Sequence, residues 1–191
     1  MPAAPKRRPT KAELEAAASE LLPDVLGPGI RVLLVGINPS LYSAAVGHHF
    51  ARPGNRFWKM LHESGATDRL LAPEEDGELL GYGFGLTNVA SRATARADEL
   101  APEELVEGAR RIEGFVSRFG IECVSFLGVT AYRDAFARPK AVIGRQEEGI
   151  GSANVWVLPN PSGLNAHYQL PELARLFREM CDDVGLDVAS S

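Results

Sequence analysis

Arg31-Val32-Leu33-Leu34-Val35-Gly36 is the stretch on which the fold turns. It is a short, continuous apolar run rich in branched residues. A strand with one face in water alternates apolar and polar positions, and this one does not. It therefore reads as a parallel strand buried on both faces. Residues 122–127 and Val155-Trp156-Val157-Leu158 repeat the pattern, and Gly83-Phe84-Gly85-Leu86-Thr87-Asn88-Val89 is a weaker version of it. Helical patterns lie between these runs. Thr10-Lys11-Ala12-Glu13 has the form of a capping box, and Leu14, Ala17, Ala18 and Leu21 follow at helical spacing, which predicts a first helix reaching Leu21. Pro28-Gly29 is a turn. Residues 55–63 are predicted helical, stopped near Gly65, and the acidic residues 74–80 form a further short helix. Leu105, Ala109, Ile112, Val116 and Phe119 mark one face of a helix entered through Pro102 and closed by Gly120. A helix over residues 130–136 follows the second strong strand, and the last begins at Pro171 with Leu173, Leu176, Phe177 and Met180 on one side.

Strands alternating with helices imply an α/β fold, a three-layer α/β/α sandwich around a central, mainly parallel sheet. No repeat or linker interrupts the pattern, so residues 10–188 are expected to form a single domain. Residues 1–9 carry three prolines and a basic run without periodicity, and are expected to be a disordered tail.

At 191 residues and 45% hydrophobic content the chain can bury a full core without staples. Two cysteines, Cys123 and Cys181, are too few for a disulfide framework or a four-thiolate metal or iron–sulfur site, and are expected as buried thiols. No stretch approaches the roughly 18 apolar residues of a membrane span, and no apolar segment follows the basic N-terminus as a signal peptide requires. A reduced intracellular compartment is expected. The net charge of −5 argues against a uniformly basic nucleic-acid binder, although a local basic face overrides total charge. The window 47–59 holds His48, His49, Arg52, Arg56 and Lys59 with no carboxylate. Adjacent histidines point apart on extended backbone and lack a third ligand, so no metal site is expected. His49 is left for a phosphate contact.

Ligands of open α/β sheets sit beyond the carboxyl ends of the strands. Two segments leave predicted strands there with unusual composition: Gly36-Ile37-Asn38-Pro39-Ser40, and Pro159-Asn160-Pro161-Ser162-Gly163-Leu164-Asn165. Turn chemistry accounts for one Asn-Pro-Ser at a strand end. Two of them point further, because an asparagine amide can also orient water.

The first segment, continued through Ser43-Ala44, Gly47, His49-Phe50-Ala51, Pro53 and Asn55-Arg56-Phe57-Trp58, resembles the mismatch-specific uracil/thymine DNA glycosylase family of the uracil-DNA glycosylase superfamily. Asn160-Pro161-Ser162-Gly163-Leu164 is similar to that family's second motif. The resemblance implies a uracil-DNA glycosylase-like fold and a monofunctional hydrolase that starts base excision repair. Its substrate would be duplex DNA carrying mismatched uracil or a related base, G·U above all, with G·T and etheno-cytosine as further candidates. It implies no cofactor, no metal, no membrane, a monomer, and a cytoplasmic location at the nucleoid of a bacterium.

The resemblance also implies roles. Asn38 holds the attacking water and is the catalytic residue. Phe50 stacks on the flipped base. Backbone groups at Ile37 and Ser40 read the pyrimidine edge, and Ser43 meets the base's 5-position. Asn88 reads a base carbonyl or amine. Asn160 supports its loop or contacts the flipped nucleotide. Leu164 is the wedge that fills the gap in the stack, flanked by Ser162, Gly163 and Asn165 on the DNA, with Gly163 allowing close approach of the duplex.

Sugar-bond hydrolases commonly use two carboxylates, yet neither motif contains Asp or Glu. The chemistry must rest on positioning and dipoles. Departures from the family pattern are Ser40 in place of Gly, Ser91 in place of an acid, and Ala166 in place of Arg. Asp98 is the nearby candidate substitute for the missing acid, with a surface loop acid as its plainer reading, and His167 is the candidate replacement for the Arg. Two other functions compete with the enzyme: a damaged-base binding module with little turnover, and a nucleotide or nucleoside enzyme on the same architecture.

Overall fold

The computed structural model describes residues 8–186. Most of the tail expected over residues 1–9 lies outside the described residues, as do residues 187 and 188. One five-stranded sheet has the order β2-β1-β3-β5-β4. Its strands β1 (Val32–Gly36), β2 (Phe84–Asn88), β3 (Cys123–Leu127) and β5 (Asn154–Leu158) are parallel, and the two-residue β4 (Gly144–Arg145) pairs antiparallel with β5 at the edge. Every residue of β1, β2 and β3 is buried. That is why these runs show no polar alternation.

Alternate strand residues feed two cores. Val32, Leu34, Phe84, Leu86 and Leu158 pack with Phe57, Met60 and Leu61 of α3 (Phe57–Glu63) and with Phe177 and Met180 of α6 (Leu170–Val184). Leu33, Val35, Val124, Phe126 and Val157 pack with Ile112 and Val116 of α4 (Pro102–Phe119) and with Ala131 and Tyr132 of α5 (Val129–Phe136). The result is a three-layer α/β/α arrangement around a mostly parallel sheet. Cys123 and Cys181 both lie in the first core, where burial pushes each thiol up to about 12. Among the described residues, no helix is long and apolar enough to cross a membrane.

Two local readings differ from the structure. The capping box forms as written: Glu13 N–H donates to Thr10 Oγ1 at 3.3 Å, and Thr10 N–H donates to the Glu13 carboxylate at 2.7 Å. The helix it starts, α1 (Lys11–Ala16), nevertheless ends early, Ser19 has φ 71°, and Leu21 is 68% exposed. Only Ala17 of the expected apolar stripe is buried, so no tertiary packing sustains a longer helix. The acidic stretch folds as 3₁₀ turns over Pro73–Tyr82. The sequence pattern also passes over the short α2 (Leu41–Val46), which interrupts the loop after β1.

β2 flanks β1 on one side and β3 on the other. The chain thus reverses its travel across the sheet at β1, and the crevice beyond its C-terminal end is the topological switch point.

Candidate active site

A cavity of about 140 Å³ opens at this crevice. Its walls come from the ends of β1 and β2 (Gly36, Asn88), the end of β3 (Leu127), and the segments after β1 and β5. Of the residues singled out from the sequence, Ile37, Asn38, Ser40, Ser43, Phe50, Asn88, Asn160 and Ser162 line it. Gly163, Leu164 and Asn165 are not part of the lining and belong to the adjoining loop. His49, Arg52, Asn55 and Leu22 line the cavity as well.

Asn38 is held by its amide nitrogen. Nδ2 donates to the Arg92 carbonyl at 3.2 Å and to Thr94 Oγ1 at 2.6 Å. A carbonyl only accepts, which fixes which end of the amide is nitrogen. Thr94 Oγ1 in turn donates its own proton to the Arg96 carbonyl at 2.7 Å, so it can only accept from Asn38 along this chain. Oδ1 receives no hydrogen bond from any described residue and is the open acceptor of a residue that lines the cavity. The backbone reinforces this arrangement. Val89 and Ala90 donate to the carbonyls of Gly36 and Ile37 at 2.8 and 2.9 Å, and Thr94 donates to Pro39 at 3.3 Å. Thr94 carried no sequence signal of its own, because its partner lies 56 residues earlier in the chain.

Phe50 has φ 52°, a left-handed conformation that is costly for a side-chain-bearing residue and persists only where the surroundings enforce it. One face of its ring stacks on Phe57, with centroids 4.0 Å apart and planes 19° from parallel. The ring is only partly buried and lines the cavity. Gly36 closes the floor. A Cβ there would lie 2.4 Å from Asn88 Oδ1 and 3.5 Å from Phe50 Cζ. No described residue hydrogen-bonds the side-chain amide of Asn88, which is itself 4% exposed. The main chain at this point is held by Arg111, whose Nη2 donates to the Asn88 carbonyl at 2.6 Å. Ser40 caps α2, accepting from Ser43 N–H at 3.1 Å, and Ser43 Oγ accepts from Ala51 N–H at 3.2 Å.

No described carboxylate lines the cavity. Asp98 is not a substitute for the acid absent at Ser91: it is exposed and paired with Arg96. Ser91 itself bonds Arg111 and faces the groove beside α4. The expectation of a phosphate contact by His49 is corrected. His49 is 2% exposed, and its Nε2 donates to the Pro23 carbonyl at 2.9 Å. Burial holds its pKa below 6.5, so the ring is neutral at pH 7 with Nδ1 unprotonated. The basic window is likewise less available than its composition suggests. His48 sits against Asp76, Arg56 turns inward onto carbonyls, and Arg52 and Lys59 remain exposed.

The segment that anchors Asn38 is tied to α4 by charge. Arg92 donates to the Glu104 carboxylate at 2.8 and 2.7 Å, and this pairing lowers the Glu104 pKa to about 2. A depressed carboxylate stabilises the fold above its unfolded value and ceases to do so as pH falls through the folded one. Stability should therefore decline between pH 4.5 and about 2 through this group. Urea midpoints measured across that range should fall less steeply in Glu104→Gln than in the parent; identical slopes would remove the pair from the account.

The loop after β5 is built from its own polar side chains. Asn160 Oδ1 accepts from Ser162 N–H at 2.9 Å, Ser162 Oγ from Leu164 N–H at 3.3 Å, and Asn165 Oδ1 from His167 N–H at 3.1 Å. Asn165 Nδ2 donates to the Asn160 carbonyl at 3.0 Å. The polar side chains of the motif thus shape the loop, while Leu164 is left 77% exposed at its surface. At Gly163, which is exposed, a Cβ would lie 2.5 Å from the Gly54 carbonyl oxygen, so this chain's own backbone already demands glycine there.

A family model described as the uracil DNA glycosylase superfamily matches residues 23–185. Among solved structures, the chain is similar to the solution NMR structure of a candidate uracil DNA glycosylase from Methanosarcina acetivorans. That match has a TM-score of 0.58 and 22% identity, and covers 85% of this chain and 98% of the other. At this identity the likeness speaks for the fold.

Proposed function

We propose that this chain, which belongs to the uracil DNA glycosylase superfamily, hydrolyses the N-glycosidic bond of uracil and related damaged pyrimidines opposite guanine in duplex DNA. The observation that carries this reading is a carboxylate-free cavity in which Asn38 Oδ1 is an open acceptor. The target base leaves the stack to reach it. The free face of Phe50 is the platform for the flipped base, the Asn88 amide and backbone groups at Ile37 and Ser40 meet its edge, and Ser43 borders its 5-position. Asn38 Oδ1 accepts a hydrogen bond from water and aims the water's oxygen at the sugar carbon. No strong base is needed, because the departing pyrimidine carries its charge as a delocalised anion. Leu164 fills the vacated place in the duplex, beside loop backbone that faces the opposite guanine. The protein works as a monomer at the bacterial nucleoid.

End-labelled duplexes carrying one lesion each test this under single-turnover conditions. Abasic sites are expected first at uracil opposite guanine. Stable binding with no abasic sites over hours would favour the second reading, a damaged-base binding module, for which Ser91 in place of an acid is the supporting observation. Arg52, exposed on the cavity rim, is placed for phosphate. Arg52→Ala should weaken binding across sequences and reduce the slope of log affinity against log salt by about 1. An unchanged slope in a DNA titration would take Arg52 off the backbone.

A further inference from the structure

Arg56 is half-buried at the start of α3, and among the described residues no carboxylate pairs with it. Its guanidinium is spent on main-chain carbonyls of the loop after β5. Nη1 donates to Tyr168 at 2.6 Å, Nη2 to Ser162 at 2.7 Å and Asn165 at 2.9 Å, and Nε to Pro161 at 3.4 Å. The Arg56 backbone N–H adds a 3.0 Å bond to Pro161. One planar fork thus gathers four carbonyls from both ends of an eight-residue segment. Only arginine carries donors in this rigid geometry; an ammonium is a compact point charge. Beside it, Gly163 lies against the Gly54 carbonyl so closely that no side chain fits between them.

This has two consequences for the surface. Peptide units are planar and trans, so a carbonyl turned inward sends the next N–H outward. Ser162 and Asn165 turn inward, and the N–H groups of Gly163 and Ala166 have no described partner. The fork also ties the loop to the start of α3 through four carbonyls, with Leu164 projecting from it.

Resting on the glycosylase reading above, we propose that Arg56 is the positioning residue of the Leu164 loop, and that it sets how well the protein acts on paired rather than unpaired uracil. Ordering the loop in advance removes an entropy cost from the step in which Leu164 must replace a stacked base. Where the target is already unpaired, that step matters little. Arg56 precedes α3 as its N-cap, is not among the residues lining the cavity and bonds neither Arg92 nor Thr94, so the hold on the Asn38 amide should be untouched.

The test compares the parent with Arg56→Met and Arg56→Lys. Amide hydrogen exchange on the free proteins should rise about tenfold or more over residues 162–168 in both variants, with β1 and β3 unchanged. Single-turnover cleavage should fall by about 100-fold on a G·U duplex, the scale of a small misplacement of reacting groups, and by less than about 3-fold on the same uracil in an unpaired bubble with duplex flanks. Arg56→Lys should recover little of the duplex rate, because it cannot span the carbonyls, and it carries the test if Arg56→Met fails to fold. Equal losses on both substrates, unchanged exchange in the loop, or a parent that cleaves the duplex and ignores the bubble would each overturn the proposal. A parent that cleaves neither substrate would instead refute the glycosylase reading, and the exchange measurement would still decide whether Arg56 orders the loop.

Discussion

Asn38→Ala is expected to bind uracil-containing duplex within about 3-fold of the parent and to lose about 100- to 1,000-fold in single-turnover cleavage, the range seen when one preorganised polar group is removed from an active site. Alanine deletes Oδ1, and no described carboxylate lines the cavity to take over the water. The backbone of the loop should persist, because its bonds from Val89, Ala90 and Thr94 do not involve the Asn38 side chain. Thr94 supplies an internal check. Thr94→Val removes the shorter of the two Nδ2 bonds and the donor to the Arg96 carbonyl, which leaves the amide held by the Arg92 carbonyl alone. Its cleavage rate should fall by about tenfold at unchanged affinity, one lost neutral hydrogen bond being worth about 1 kcal/mol, and Thr94→Ser should restore it. With His49 held below 6.5 and no acid in the lining, the residual rates should be flat above pH 7. Cleavage by Asn38→Ala at the parental rate would end the water-positioning mechanism.

Gly108→Ala should cause the largest loss of stability of any glycine-to-alanine change among the described residues. Gly108 is buried in α4, and a Cβ there would sit 1.9 Å from the Val89 carbonyl oxygen and 2.7 Å from its carbon. Both are backbone atoms, so no side chain can rotate out of the way. Replacing a helical glycine by alanine ordinarily gains about 1 kcal/mol. Here the overpacking, at about 3 kcal/mol or more, outweighs that gain. A net loss near 2 kcal/mol corresponds to a melting temperature lower by about 4–8 °C for a chain of this size. The effect should reach the site too, because pushing α4 outward drags on the segment through Val89 to Thr94 that anchors Asn38. A melting temperature at or above the parent's would mean that α4 shifts freely, and that the close approach is not a constraint.

The central strands were legible because both faces are covered, so burial writes itself into sequence as an unbroken apolar run at Val32–Val35 and as one interrupted only by Ser125 over Cys123–Leu127. The long helices were legible for a related reason: Ile112, Val116, Phe177 and Met180 recur at the helical period because one side of each helix meets the sheet. The first helix misled because its apolar stripe finds nothing to pack against beyond Ala17. β4 left no pattern, being two residues long with an exposed arginine. At the site, place at strand ends pointed to the segments of Asn38 and Asn160, the family resemblance pointed to Phe50 and Asn88, and all four line one cavity. The same reasoning misplaced His49 and missed the contact of Gly163 with Gly54, since neither burial nor a close backbone contact can be told from residue type alone.

By itself, then, the sequence determined the layered α/β architecture and the polar residues carried to the carboxyl ends of its strands, because periodicity and motif order are properties of adjacent positions. Only the tertiary structure decided which atoms do the work. Asn38 presents Oδ1 because Nδ2 is bound by Arg92, 54 residues on, and the Leu164 loop holds its shape because Arg56 reaches Tyr168, 112 residues on. Contacts at such separations exist only once the sheet has brought its strand ends together, and no local pattern records them.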